Sequence, residues 1–306
     1  MNFDLTEDQE ALVDGIRAVC QGRFDSERIR AGFDRAVWDE LAETGVFSLI
    51  ADGFSWADTA LAFEELGRAV VPGPLVWGVL AHGLVDGVPT GVEAPAPGVP
   101  AMIEHLAAAD VVLVLADDGV RAIPAASVTG EELDWPLDPL TPITRVTALP
   151  TGGLVAGPEV VADWRRRGAV LTAAFLAGMA GGMVTLSTDY ALARRQFDRP
   201  IGSFQAIKHL LADALTRAEV ARTAVHAAAV TLDDPEVGDV DRAVHGAKLL
   251  AGEAALKNAK TATQVHGGMG FTWEVDVHLA LKRAWLLNTV FGSPDAHADA
   301  LAASYT

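Results

Sequence analysis

Ala169 to Ser187 runs without a single charged residue, directly after Arg165, Arg166 and Arg167. No feature constrains the fold more. A run of this length and flank must cross a membrane or lie inside a helical core. Three observations favour the core. Gly178, Gly181, Gly182 and many alanines make the run weakly hydrophobic for a lipid-facing span, and it continues directly into the polar stretch from Asp189 to Arg194. Small residues instead suit close helix contacts. The expectation is a buried central helix, with no membrane.

Composition agrees. Half of the 306 residues are hydrophobic and the mean hydropathy is +0.25, enough for a large core and two or three domains. The net charge of −18, from 41 acidic and 23 basic residues, argues against nucleic acid or an anionic membrane as partner. Arg194, Arg195 and Arg199 nevertheless cluster and could serve a local anion site. Cys20 is the only cysteine, which leaves no disulfide framework, zinc cluster or haem attachment within the chain and fits a reducing cytoplasm. Met1 to Asp4 reads as the opening of an acidic amphipathic helix, without a secretory signal.

The pattern predicts three parts: a helical domain over 1–100, a reduced β domain over 101–157 and a helical bundle over 158–306. In the first, apolar residues at helical spacing (Leu5, Leu12, Ile16, Val19) follow Thr6, with Gln9 at the capping-box position. A short helix runs from Val37 to Gly45. Another runs from Trp56 to Val70, capped by Ser55 and stopped by Pro72-Gly73-Pro74, with Ala60, Phe63, Leu66 and Gly67 on one face. Residues 87–100 read as linker. Val111–Ala116 and Val120–Pro124 form a hairpin about Asp117-Asp118-Gly119, with further strands at Ile143–Leu149 and Leu154–Ala156. Long helices follow at 160–196, 203–230, 239–265 and 274–290, with a tail helix near 294–303. The fold class is mainly α with a small β domain.

Two segments carry chemistry. Residues 194–205 read Arg-Arg-Gln-Phe-Asp-Arg-Pro-Ile-Gly-Ser-Phe-Gln; residues 264–270 read Gln-Val-His-Gly-Gly-Met-Gly. Closely spaced glycines let backbone N–H groups approach a pyrophosphate without a β-carbon in the way. Gln264 can donate its amide, and Arg194 offers a charge-assisted bond to phosphate. Phe197 and Phe204 offer apolar surface. His209, His226, His245, His266 and His278 fall on different helices without the H-E-x-x-H spacing, so no metal site is expected.

Together these segments resemble the paired C-terminal signatures of acyl-CoA dehydrogenases, "R-x-Q-F-G-x-P-I-x-x-F-Q" and "Q-x-x-G-G-x-G". Phe63 to Arg68 is similar to that family's "E-E-L-G-R" helix. The resemblance implies the family's architecture of helical domain, β domain and four-helix bundle. It implies FAD as cofactor, with Arg194, Gln196, Phe197, Phe204, Gln205, Ile207, Gln264, Val265, Gly267 and Gly268 at the ADP half of an FAD held mainly by a neighbouring subunit; His266 would lie near it.

The resemblance also implies what is missing. The family's catalytic glutamate removes the α-proton of an acyl-CoA thioester while the β-hydride moves to the flavin. Its two known positions fall here on Gly168, counted back from Tyr190, and on Phe291, counted on from Gln264. Neither residue can accept a proton. The flavin-contacting "T-E-P-x-A-G-S-D" segment has no counterpart between Leu80 and Gly157. The "P-E-x-x-G-G" loop is reduced to Ala51-Asp52-Gly53-Phe54, and Asp198 stands where the family prefers Gly. What remains is what a subunit gives its neighbour's FAD. The chain thus resembles the short non-catalytic subunits of heterotetrameric (α2β2) acyl-CoA dehydrogenases of actinobacterial steroid catabolism, in which a full-length acyl-CoA dehydrogenase subunit supplies the base and binds most of the acyl-CoA. Two alternatives stay open. One is a self-sufficient enzyme with a relocated base among Glu159, Asp163, Glu274 and Asp295, of which Glu274 reads as a first-turn helix residue and Asp295 as a loop residue. The other is a flavin-free structural partner.

Overall fold

The computed structural model describes residues 5–305; the expected helix opening at Met1 to Asp4 lies outside them. Ten α-helices and nine strands are present among the described residues. The chain divides into two compact units. One comprises the residues up to Arg28, Trp56–Val71 and the chain from Ala169 onward; the other comprises Ile29–Ser55 and Pro72–Gly168.

The first unit is helical. Helix α1 (Glu7–Arg23) starts as its sequence dictates: Gln9 N–H donates to Thr6 Oγ1 and the Gln9 amide oxygen accepts from Thr6 N–H. It buries Val13, Ile16 and Cys20. Helix α4 (Trp56–Arg68) differs from the amphipathic helix its sequence suggests, because Thr59, Leu61, Ala62, Glu64 and Glu65 are buried along with Ala60, Phe63, Leu66 and Gly67. The core surrounds it, and Phe63 is fully buried, worth about 2–3 kcal/mol of apolar transfer. Its two buried carboxylates, Glu64 and Glu65, are both paired. Glu64 takes His226 Nε2 at 2.6 Å and Arg222 Nε at 3.4 Å; Glu65 takes Arg17 through Nε and Nη2 at 3.0 and 3.1 Å. The N–H groups of Trp56 and Ala57 donate to Asp233 at 2.8 and 2.9 Å, an N-terminal cap from a distant helix that the sequence does not reveal.

The bundle consists of α6 (Pro158–Ala193), α7 (Gln205–Asp233), α8 (Val240–His266) and α9 (Val277–Leu287), followed by α10 (Pro294–Ala303). Helix α6 contains the uncharged run. It is long and apolar enough to cross a membrane, but 72% of its apolar window is buried in the protein. Its glycines explain the composition. A β-carbon on Gly178 would stand 1.9 Å from the Glu64 carbonyl oxygen, and one on Gly67 would stand 2.0 Å from that of Phe175. Helices α4 and α6 therefore approach backbone to backbone, which only glycine permits.

The second unit carries the two larger sheets and short helices: the second half of α2 (Ser26–Ala31), then α3 (Arg35–Glu43) and α5 (Leu75–Leu80). The sequence reading omits α2 and α5; the chain restarts a helix immediately after Pro74. One sheet has the order β1-β3-β4-β7, from β1 (Pro89–Glu93), β3 (Val111–Ala116), β4 (Gly119–Pro124) and β7 (Gly153–Ala156). A second has the order β2-β6-β5, from β2 (Ala101–Glu104), β5 (Glu131–Glu132) and β6 (Ile143–Val146). The β3–β4 hairpin forms as expected, with Ala116 opposite Gly119. The linker reading of 87–100 is corrected: β1 lies there, pairing parallel to β3 with Thr90 opposite Val112. Its signal is weak because Pro89 and Gly91 are poor strand formers. Asp110 fixes the junction by accepting from Val88 N–H and Arg35 Nη1, both at 2.7 Å; these bonds hold its carboxyl below the usual range.

Candidate flavin-nucleotide site

Both motif segments leave the bundle from helix ends held side by side. Tyr190, near the end of α6, stacks on His266, the last residue of α8, with ring centroids 4.1 Å apart. The His266 ring is buried, its Nδ1 lies 2.8 Å from the Ala262 carbonyl oxygen, and burial lowers its pKa. It therefore acts as a neutral packing residue.

After α6 the chain makes a miniature hairpin of β8 (Arg195–Gln196) and β9 (Arg199–Pro200), with Arg195 opposite Pro200. Phe197 and Asp198 form its two-residue turn with φ of 50° and 62°. Positive φ at both central positions defines the type I′ turn that matches strand twist. Such φ values are costly for L-residues, less so for Asp than for Phe. Asp198 thus adopts the left-handed conformation that the family's glycine would take freely.

The three arginines of this segment have different tasks. Arg195 Nη2 donates to the Asp198 carbonyl at 2.6 Å, closing the turn. Arg199 lies 4.0 Å over the Phe204 ring, while Phe197 meets Phe204 edge to face at 6.2 Å. This cation–π platform is not evident in the sequence; its only sequence signal is the spacing of Arg199 and Phe204 across Pro200. Arg194 is exposed, and its guanidinium makes no hydrogen bond or ion pair among the described residues. Of the three, its side chain alone has neither a hydrogen bond nor a ring contact among the described residues.

The glycines of the second segment also differ. Gly267 terminates α8 with φ of 63°, a positive value that glycine adopts without a β-carbon penalty. β-Carbons on Gly267 and Gly268 would meet nothing within 4 Å, so their backbones border open space. Gly270 instead serves packing: a β-carbon there would lie 2.7 Å from the Thr263 carbonyl oxygen. Gln264 is exposed at the last turn of α8.

The remaining expected residues divide. Gln205 is exposed and Ile207 and Phe204 are half-buried at the start of α7, while Gln196 turns its amide to the Arg195 carbonyl. Val265 departs from the expected set. Its side chain is 5% exposed, on the core side of α8, so it supports the turn from beneath and offers no side chain to a ligand.

The two positions where the family resemblance would place a base carry no carboxylate. Gly168 is buried within α6. Phe291 occupies a turn between α9 and α10 with φ of 54°, followed by Gly292 at 113°. The acidic residues near them are otherwise engaged or placed. Asp163 pairs with Arg167 at 2.8 Å, although burial raises its pKa. Glu274 precedes α9, which begins at Val277, and so is not a first-turn residue; Asp295 lies in the first turn of α10 and not in a loop. No group of three or more metal-ligating side chains is present among the described residues.

Residues 159–306 match the model of the acyl-CoA dehydrogenase C-terminal domain. The acyl-CoA dehydrogenase IpdE2 of Mycobacterium tuberculosis is 34% identical over 275 residues, covering 83% of this chain and 81% of that protein. In fold, the chain is similar to the ChsE4-ChsE5 complex of Mycobacterium tuberculosis, with a TM-score of 0.82 at 22% identity over all of this chain and 99% of that one. It is likewise similar to the Tcur3481-Tcur3483 steroid ACAD, with a TM-score of 0.82 at 21% identity over 97% of each chain. With the long match to IpdE2 and the C-terminal domain match, the chain belongs to the acyl-CoA dehydrogenase family.

Proposed function

We propose that this chain is the non-catalytic subunit of a heteromeric, FAD-dependent acyl-CoA dehydrogenase. The single observation that carries the reading is a contrast. Arg194 is exposed and unpaired among the described residues and the Gly267-Gly268 backbone borders open space, while Gly168 and Phe291 stand where the family resemblance would place the base. A subunit of this kind completes a neighbour's cofactor site and leaves proton abstraction to the neighbour.

The residues fit the ADP half of FAD. Gly267 and Gly268 would admit the pyrophosphate close to backbone N–H groups, Arg194 would supply the charge-assisted bond, and Gln264 the amide. Phe197, Phe204 and Arg199 form an apolar, cationic platform beside them. When bound, FAD accepts the substrate's β-hydride. The α-proton has no acceptor at either family position in this chain, so the partner, a full-length acyl-CoA dehydrogenase subunit in an α2β2 assembly, supplies the base. Similarity to the two-chain ChsE4-ChsE5 complex supports a heteromer. Similarity to a steroid ACAD supports a bulky, ring-bearing acyl-CoA, as does a small β domain that leaves room for one.

Native mass spectrometry of the chain alone and co-expressed with the full-length subunit tests this. The expected result is an α2β2 species with FAD, and little flavin on the isolated chain. A flavin-loaded homo-oligomer that turns over acyl-CoA would overturn it.

A further inference from the structure

Helix α10 is held to the bundle in an unusual way. His297 is its one buried residue, at 5% exposure. Helices normally dock through apolar side chains; this one docks through an imidazole. His297 Nε2 lies 3.1 Å from the Phe291 carbonyl oxygen, and its Nδ1 lies 2.8 Å from Nδ1 of His245 on α8.

These distances fix the protons. A carbonyl oxygen only accepts, so His297 Nε2 carries hydrogen. The two facing Nδ1 atoms then share one hydrogen between them. In the neutral pair His297 Nδ1 is bare and His245 Nδ1 donates. One added proton is accommodated either on His245 Nε2, with the bond unchanged, or on His297 Nδ1, with His245 changing tautomer to accept. A second leaves two N–H groups pointing at each other across 2.8 Å, and the bond is lost.

The surroundings resist that charge. Lys248, 1% exposed, donates from Nζ to the carbonyls of Leu287 and Asn288 at 3.1 and 3.2 Å. Burial, Lys248 and His245 push His297 down to about 4. Of the other charged groups here, Asp241 on α8 and Asp295 and Asp299 on α10 are exposed. Arg242 is committed to the Ser304 carbonyl at 3.0 Å and to the Tyr305 ring at 4.5 Å. On α9, Lys282 lies over Trp273 and Arg283 donates to the Val71 carbonyl. Among the described residues, the ring partners of His245 and His297 are each other and the Phe291 carbonyl.

We propose that His245 and His297 form a proton-operated latch, which holds α10 and the Phe291–Gly292 turn against α8 and opens when both rings are charged. The latch does not depend on the subunit role proposed above.

Hydrogen–deuterium exchange of the full chain tests it, after correction for the intrinsic pH dependence of exchange. Between pH 6.5 and about 4, the interval set by the ordinary and shifted His297 values, protection over 294–303 should fall about tenfold while the interior of α8 stays protected. In His297→Gln, whose amide replaces both hydrogen bonds without titrating, that pH dependence should vanish. Protection that does not change, that falls equally in α8, or that keeps the same pH dependence in His297→Gln overturns the latch. Ring 15N shifts of the unaltered chain give an independent reading: the second protonation of the pair should coincide with exposure of α10. Two charged rings beneath a still-protected α10 also overturn it.

Discussion

Gly178 lies against the backbone of Glu64 so closely that a β-carbon would stand 1.9 Å from the Glu64 carbonyl oxygen. That single approach joins the uncharged helix α6 to the buried helix α4. It accounts for the glycine in a run that the sequence already reads as a buried helix.

Gly178→Val should therefore destabilise the protein, because neither backbone can move without displacing the ion pairs of Glu64 and Glu65. The expected loss is about 3 kcal/mol or more, the upper range for overpacking. Chemical denaturation followed by circular dichroism measures it; an unchanged midpoint would show that the two helices can separate freely.

Arg194→Glu should remove flavin from the co-expressed complex while leaving the fold intact, since the exposed Arg194 has no partner within the described chain to lose. Absorbance of the purified complex near the flavin bands reports it. Full flavin content in the variant would exclude Arg194 from phosphate binding.

Phe291→Glu should not give the isolated chain dehydrogenase activity. A carboxylate there would gain a proton acceptor, but the turn is clamped by His297 and the flavin-ring contacts are absent from the sequence. Turnover of an acyl-CoA by this variant alone, read with an artificial electron acceptor, would show instead that a base was all the subunit lacked.

Lys248 gives a pH dependence of known sign. Burial lowers its pKa from 10.5 to about 7, so between these values the unfolded chain binds more protons than the folded one. Stability therefore rises with pH across that window, and the folded state carries the full penalty of a buried ammonium below about 7. His297, lowered from 6.5 to about 4, adds the same sign at lower pH. Lys248→Met should flatten the alkaline slope of unfolding free energy. A slope unchanged in Lys248→Met would place its origin elsewhere.

Much of this protein was legible in its sequence. Local chemistry set the Thr6–Gln9 capping box, the β3–β4 hairpin about Asp117–Gly119 and the helix ends at Pro235 and Gly267, because each depends on residues within a few positions of one another. The two motifs were also readable, since each follows from residue type and spacing; the absence of a carboxylate at Gly168 and Phe291 is what their resemblance to the acyl-CoA dehydrogenase family implies. Tertiary structure alone decided the rest. Strand β1 exists because β3 pairs with it, despite Pro89 and Gly91. Helix α4 looks amphipathic, yet Glu64 and Glu65 are buried with the rest of it because Arg17, Arg222 and His226 arrive from α1 and α7 to pair with them. The task of each arginine between 194 and 199, and the difference between the open Gly267-Gly268 and the packed Gly270, were fixed by neighbours distant along the chain. Sequence records which groups a residue carries; which of them remain free depends on what the fold brings against them.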